Sequence, residues 1–327
     1  MIAAIPWAMP SIAPATPATS GAILTARTTI PATASTYAAA GKKYSGVALA
    51  YKLEGADINM DGLTLQDIEG QSANIVFRSY GAGEVRNLRI ERMRMTSGIY
   101  TSGIPSGLIY SGGTRLIDAV FRDLTYKSIK PVTNPSDIVA AFALTGKDAD
   151  DTGDGILLES FDFRDLIATY TTGYKNTDGV SVEGGYLNFT AKNGIVSNVS
   201  DACYDIKPPK ARLDNCFGEK SREIFKLWQP NHHGALYSAN PSFAHLLLAG
   251  DDGTHWTDPL VIDHLSCRNA AGTQPIFRTE GGTRPIIVKS HDLSGCKPGT
   301  PLISKDGPSA ASSITWVQGM PGNGATL

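Results

Sequence analysis

Several acids and a lysine crowd into one stretch of this 327-residue chain, from Asn176-Thr-Asp-Gly179 to Lys207. Asp178 and Asp201 each stand just before a short segment in which polar and apolar residues alternate, Val180-Ser-Val-Glu183 and Tyr204-Asp-Ile-Lys207. That period of two is the mark of a half-buried strand, and it places Ser181 and Glu183, like Asp205 and Lys207, on one face. Two nearby carboxyls can divide acid and base work, one donating a proton and the other activating water. A crowded lysine can instead lose its proton and act as the base of an elimination. The catalytic candidates are therefore Asp178, Asp201, Asp205 and Lys207. Asp201 reads equally well as a turn-capping residue, and Asp205 with Lys207 as a solvated ion pair worth ~0–1 kcal/mol.

The elements that must position these groups recur along the chain. An apolar residue, a spacer and a second apolar residue, often followed two positions later by Asp or Asn, appear at Leu63-Thr-Leu65, Leu88-Arg-Ile90, Val120-Phe121, Phe161-Asp-Phe163, Leu187-Asn-Phe189, Arg212-Leu213, Leu265-Ser-Cys267 and Asp292-Leu293. Most steps between the second apolar residues are close to 25 residues, or to that length with an insertion. A second strand follows each, as at Ala141-Phe-Ala-Leu144, Ile224-Phe-Lys-Leu227 and Leu246-Leu-Leu248. Short strands returning at a fixed step, with almost no 3.6-residue pattern, predict an all-β fold built as a parallel β-solenoid of about 25 residues per coil. The second apolar residues are expected to stack as one inward column. The solenoid should span residues 45–307, between an Ala/Pro/Thr-rich arm at 1–44 and a Gly/Pro/Ser-rich tail at 308–327.

On a solenoid the outward positions of successive coils form columns. Arg78, Glu183, Lys207 and Lys226 fall in one, with Arg222 close by, and Tyr174, Tyr204 and Trp228 add rings that could stack on sugar faces. Arg78, Glu183, Arg222, Lys226, Trp228 and His232 are thus the candidate substrate-binding residues. His232 also reads as a residue of a polar loop. The 126–155 insertion should wall one side of the groove. It carries Asp148, Asp150, Asp151 and Asp154 beside glycines, and closely spaced carboxylates can wrap Ca²⁺, the single cofactor suggested here.

Composition excludes several classes. A net charge of −2 with no dense basic run argues against nucleic acid as a partner. No apolar run is long enough for a membrane span. Cys203, Cys216, Cys267 and Cys296 lack metal-ligand spacing and read as small buried hydrophobes. The first twenty residues are apolar but lack the positive start of a secretory leader.

Asn176-Thr-Asp-Gly179, followed about one coil later by Ser200-Asp-Ala-Cys-Tyr-Asp-Ile-Lys207, resembles the polygalacturonase family of glycoside hydrolases. More broadly the chain resembles the pectate-lyase-like right-handed parallel β-helix superfamily. The motif similarity covers about 45 residues and the fold-level similarity roughly 45 to 310. Asp178 matches the family's first catalytic acid and Asp201 the first member of its Asp pair. Ala202 stands where the family has the second Asp, and Lys220-Ser221 where it has a Gly-His-Gly histidine. The resemblance implies a secreted or periplasmic protein that binds and cleaves a polysaccharide, an acidic, uronate-containing one. With cations in the groove column and an incomplete acid set, β-elimination stands slightly ahead of hydrolysis. A non-catalytic glycan-binding or tail-spike-like solenoid is the third reading.

Overall fold

The computed structural model describes residues 43–45, 53–55, 59–71, 75–97, 107–134, 139–145, 153–171, 173–250, 254–281, 283–304 and 313–322. The fold is all-β, with no helix among these residues, and every strand pairing is parallel. Two long sheets run the length of a parallel β-helix. The first takes β1 (Lys43–Ser45), β4 (Thr64–Gln71), β6 (Arg89–Ser97), β8 (Val120–Ser128), β11 (Leu157–Leu166), β14 (Thr190–Val199), β16 (Arg212–Glu219), β18 (His232–Ala239), β20 (Leu260–Asn269), β22 (Ile286–Cys296) and β23 (Ile314–Trp316). The second opens on β2 (Leu53–Gly55), paired with β5 (Ile75–Arg86), and runs on through β7 (Ile109–Ile117), β9 (Val139–Thr145), β12 (Thr177–Val182), β15 (Ala202–Ile206), β17 (Glu223–Leu227), β19 (Ala244–Ala249) and β21 (Phe277–Glu280). Short rungs at β3 (Asn59–Asp61), β10 (Gly153–Asp154) and β13 (Tyr186–Leu187), with the far ends of β5 and β7, close a third side over the earlier coils. The anticipated second strand of each coil is thus the second sheet. β23 adds a rung to the first sheet inside the stretch read from sequence as a tail.

The Asp or Asn of the repeat has a definite job. Asp67, Asp123, Asn193 and Asn215 have φ of 56°, 56°, 54° and 51°, in the left-handed region that their short side chains tolerate. The kink resets the alternation. In β8 both Phe121 and Leu124 point inward, with Arg122 and Asp123 outside between them. A second column of such residues, Asp165, Asn198, Lys220 and Asn240, ends the strands of the same sheet. Side chains tie neighbouring coils at both kinks, Asn215 to Asn193 at 2.7 Å and Asn198 to Asp165 at 2.7 Å.

That duplication corrects the expected single column. All eight marker residues are buried. Leu65, Ile90, Phe121 and Leu213 do stack, with Leu158 and Ala191 completing the run. Phe163 belongs to a third inward column, level with Tyr126 and Val196, beyond that of Leu124 and Phe161, and Cys267 is level with Ser238. Phe189 sits just before β14. One local pattern serves both the mid-strand kink and the strand end, so spacing alone merged them.

The interior is apolar except for a few polar groups with large consequences. All four cysteines are free and buried. His233 and His245 are fully buried, and burial lowers each to about 3 from the usual 6.5. Leu213 N–H donates to His233 Nδ1 at 3.0 Å, and His245 Nδ1 lies 2.7 Å from Ser238 Oγ. A base held below its unfolded pKa lends its stability fully above pH 6.5, and that stability drains away as pH falls toward 3. Each histidine then costs up to about 1.4 kcal/mol per pH unit. In denaturant titrations, the stability gap between wild type and His245→Gln should close by roughly that slope as pH drops from 6.5 toward 5.

Candidate active site

The outer face of the second sheet carries the predicted acids, on strands the local sequence explains. Thr177 pins the corner, its Oγ1 donating to Leu166 O at 3.0 Å and accepting from Ser200 N at 3.1 Å. Gly179 is needed for packing, since a β-carbon there would come within 2.1 Å of Val196 and 2.7 Å of the Cys203 carbonyl oxygen. Asp178 between them is turned outward. Ser181, Asp205 and Lys226 are successive members of one ladder, and Ala202 pairs with Glu223. The same register places Asp178 level with Ala202, whose N–H donates to Asp178 Oδ1 at 3.0 Å. Ala202 is buried but takes no part in the main core. Its methyl group is therefore the floor between two acids, Asp178 on one neighbouring strand and Glu223 on the other. Two strand spacings separate their backbones, ~9.6 Å.

Asp178, Asp201, Asp205 and Glu223 are all nearly inaccessible, Glu223 completely so. Charges cannot be buried in such number without either partners or protons. Burial first, then the charges of Asp205 and Asp201, lifts Asp178 well above the ordinary carboxylate range. Glu223 is pushed up to about 8, again by burial and then by the charge of Asp201, and neither of its buried oxygens, nor Asp201 Oδ2, receives a hydrogen bond. Burial also raises Asp201, but Tyr174 and Lys226 pull it back. All three carboxyls are thus held above the ordinary carboxylate range, and Glu223, at about 8, keeps its proton at neutral pH. Asp205 is committed elsewhere: Lys226 Nζ lies 3.3 Å from its Oδ2, and Trp228 Nε1 donates to Oδ1 at 2.8 Å. Burial tends to strip Lys226 of its proton, yet Asp205, Asp201 and Asp178 outweigh it and hold the lysine charged.

A strip of rings and cations lies over the acids. Tyr174, half exposed on the corner segment before β12, donates its phenol to Asp201 Oδ1. Arg222 Nη1 donates to the same phenol at 2.9 Å and lies 3.1 Å from Glu223 Oε1 and 3.8 Å from Asp201 Oδ1. Its guanidinium packs over the rings of Tyr174 and Phe243, at 5.2 and 4.5 Å from their centres, and Arg278 lies 4.0 Å over Phe243. Lys207 and Lys226 stand 5.3 and 5.6 Å from the Trp228 ring. Of the insertion expected to wall the groove, Val132 is bridged to Ala168 in the corner segment that leads to Tyr174, and residues 135–138 and 146–152 lie outside the described residues.

The structure brings Asp178, Asp201, Asp205, Arg222, Lys226 and Trp228 together as the sequence suggested. Lys207 is at the margin and bonded to Glu183 at 2.6 Å rather than to Asp205. Tyr204 is no groove residue: it points inward and stacks on Phe225 at 5.0 Å. His232 is also misplaced, because β18 belongs to the first sheet, where its Nε2 meets Asp263 Oδ1 at 2.7 Å. Asp263 also receives Lys289 at 2.8 Å, and these partners outweigh partial burial to hold its carboxyl down at about 2. Arg78 lies in β5, opposite Gly112, with its side chain outside the described residues. Of the acidic insert, 148–151 also fall outside them, and Asp154 accepts from Asn188 Nδ2 at 2.6 Å. Among the described residues no three His, Cys, Asp or Glu side chains are arranged to hold a metal.

Glu223 is the residue that sequence reasoning passed over. Its one signal was position, about one coil after Ala202, in Ser221-Arg-Glu-Ile224. Among the described residues no helix is long and apolar enough to cross a membrane. Comparison with family models, curated proteins and solved structures found no match, so the function rests on the site itself.

Proposed function

We propose that this protein hydrolyses a glycosidic bond in an anionic polysaccharide, with inversion at the anomeric carbon. The observation that carries the reading is the fully buried Glu223 carboxyl, raised by burial and by the charge of Asp201 and separated from Asp178 by the small side chain of Ala202. Asp201, with the protonated Glu223 beside it, can take a proton from water. Asp178 keeps its own proton and gives it to the leaving oxygen as the C1–O bond breaks. The water oxygen bonds C1 from the opposite face, and its proton goes to the Asp201–Glu223 pair. An inverting enzyme needs its carboxyls about 6.5–9.5 Å apart to admit the water, and what supports that here is that Asp178 and Glu223 stand on strands two spacings apart, with Ala202 on the strand between them. Lys226, Arg222 and the rings of Trp228 and Phe243 would hold the sugar and its acidic groups.

The same geometry moves the balance away from β-elimination. That reaction needs a neutral base, whereas Lys226 is kept charged among three carboxyls and Lys207 is engaged by Glu183. Incubating the protein with a panel of anionic and neutral polysaccharides tests the reading. New reducing ends of inverted anomeric form, without an ultraviolet-absorbing C4–C5 double bond, are expected. An absorbing product would establish the lyase, and binding without cleavage the glycan-binding solenoid.

A further inference from the structure

We propose that Asp201 Oδ1 and the Arg222 guanidinium form a sugar-hydroxyl subsite, which the phenol of Tyr174 fills in the free protein. The proposal rests on the glycosidase reading and says which part of the site the substrate must open. Tyr174 O–H donates to Asp201 Oδ1 while its oxygen accepts from Arg222 Nη1 at 2.9 Å. A sugar hydroxyl has the same inventory, one donor and two lone pairs, and would satisfy both partners in the same way. Asp201 lies buried beneath this phenol, which donates to its Oδ1, so a substrate water meets the carboxylate only once the ring is out of the way. The phenol therefore has to leave before the acids can work.

Exposure separates the plug from the site. Tyr174 is 51% exposed, whereas Asp201 and Glu223 beneath it are 1% and 0% exposed. The backbone of its segment is held independently of the phenol. Tyr170, itself buried, donates its hydroxyl to Tyr174 O at 2.9 Å and accepts from Asn176 N at 3.1 Å. Gly173, with φ of 86°, precedes Tyr174 in a conformation that most residues avoid. The side chain can thus swing away while the corner keeps its shape. What holds it closed is one hydrogen bond to a charged oxygen, one from a guanidinium, and the packing of Arg222 on the ring. A ligand must displace these, so its apparent affinity is reduced by the fraction of time the plug is out.

Tyr174→Ala removes the plug and Tyr174→Phe removes only its hydroxyl. Binding of oligogalacturonate, cello-oligosaccharides and xylo-oligosaccharides, followed by quenching of tryptophan fluorescence at low temperature, should tighten about 10-fold in Tyr174→Ala, the scale of one hydrogen bond to a charged group. Tyr174→Phe, with its ring retained, should show part of that gain and melt like wild type. 4-Methylphenol should compete with the oligosaccharide in Tyr174→Ala and leave wild-type binding unchanged. If wild type binds a sugar and both variants bind it no more tightly, or 4-methylphenol fails to compete, the subsite is overturned and the glycosidase reading stands. If no member of the panel binds any of the three proteins, the glycosidase reading itself fails and takes the subsite with it.

Discussion

Glu223→Gln should lose about 10²–10⁴-fold in turnover of whatever polysaccharide the wild type cleaves, the scale of an acid–base group removed from its reaction. The same variant should be more stable than wild type at pH 8. Both effects come from one cause. The fold holds Glu223 protonated up to about pH 8, against 4.5 in the unfolded chain. A carboxyl raised in this way contributes its stability fully below pH 4.5, and that contribution is lost as pH rises to 8. Glutamine has no charge to hide, so it escapes that loss, by up to about 1.4 kcal/mol for each pH unit in the window. Reducing-end assays and thermal melts at pH 5 and pH 8 check the two halves. A variant that stays active, or whose stability tracks the wild type across that range, would mean Glu223 is a structural acid.

Ala202→Asp is the second large effect, and its expected direction is the less obvious one. The substitution restores the second Asp of the polygalacturonase pattern, so analogy predicts a gain in activity. The geometry predicts the reverse. Ala202 is fully buried, level with Asp178 on one side and paired with Glu223 on the other. A third carboxyl wedged between them would have no cation within its own ladder position, and both neighbours already resist ionisation. An uncompensated buried charge costs ~3–5 kcal/mol. The new carboxyl would also fill the gap through which water must reach the pair. Denaturant titration should show the destabilisation and reducing-end assays no gain over wild type. A stable, more active variant would show that the acid set is incomplete as it stands.

The architecture was legible because a solenoid is a local code repeated. Many coils write the same apolar spacing and an Asp or Asn at a left-handed kink, with Arg92 and Ser160 taking that place in two of them, so about 25 residues per coil and the two principal strands could be read directly. The merging of two inward columns shows the limit of that reading. Asp123 kinks a strand and Asp165 ends one, and both follow an apolar residue by two positions. Only the pairing of Phe163 with Val196 and of Phe121 with Leu158 tells them apart.

For the site, the sequence alone marked Asp178 and Asp201 as acids that stand just before two alternating strands one coil apart. It also determined that Arg222, Lys226 and Trp228 follow within reach. The partner of each group was decided by tertiary structure. Asp205 meets Lys226 and not Lys207, Lys207 meets Glu183, and His232 faces outward from the other sheet. Glu223 has the same standing. In the chain it is one acid beside an arginine, twenty-two residues past Asp201. It becomes a protonated neighbour of Asp201 because ladder register, set by the packing of the coils, carries it to the far side of Ala202, and because burial there withholds the water that would ionise it.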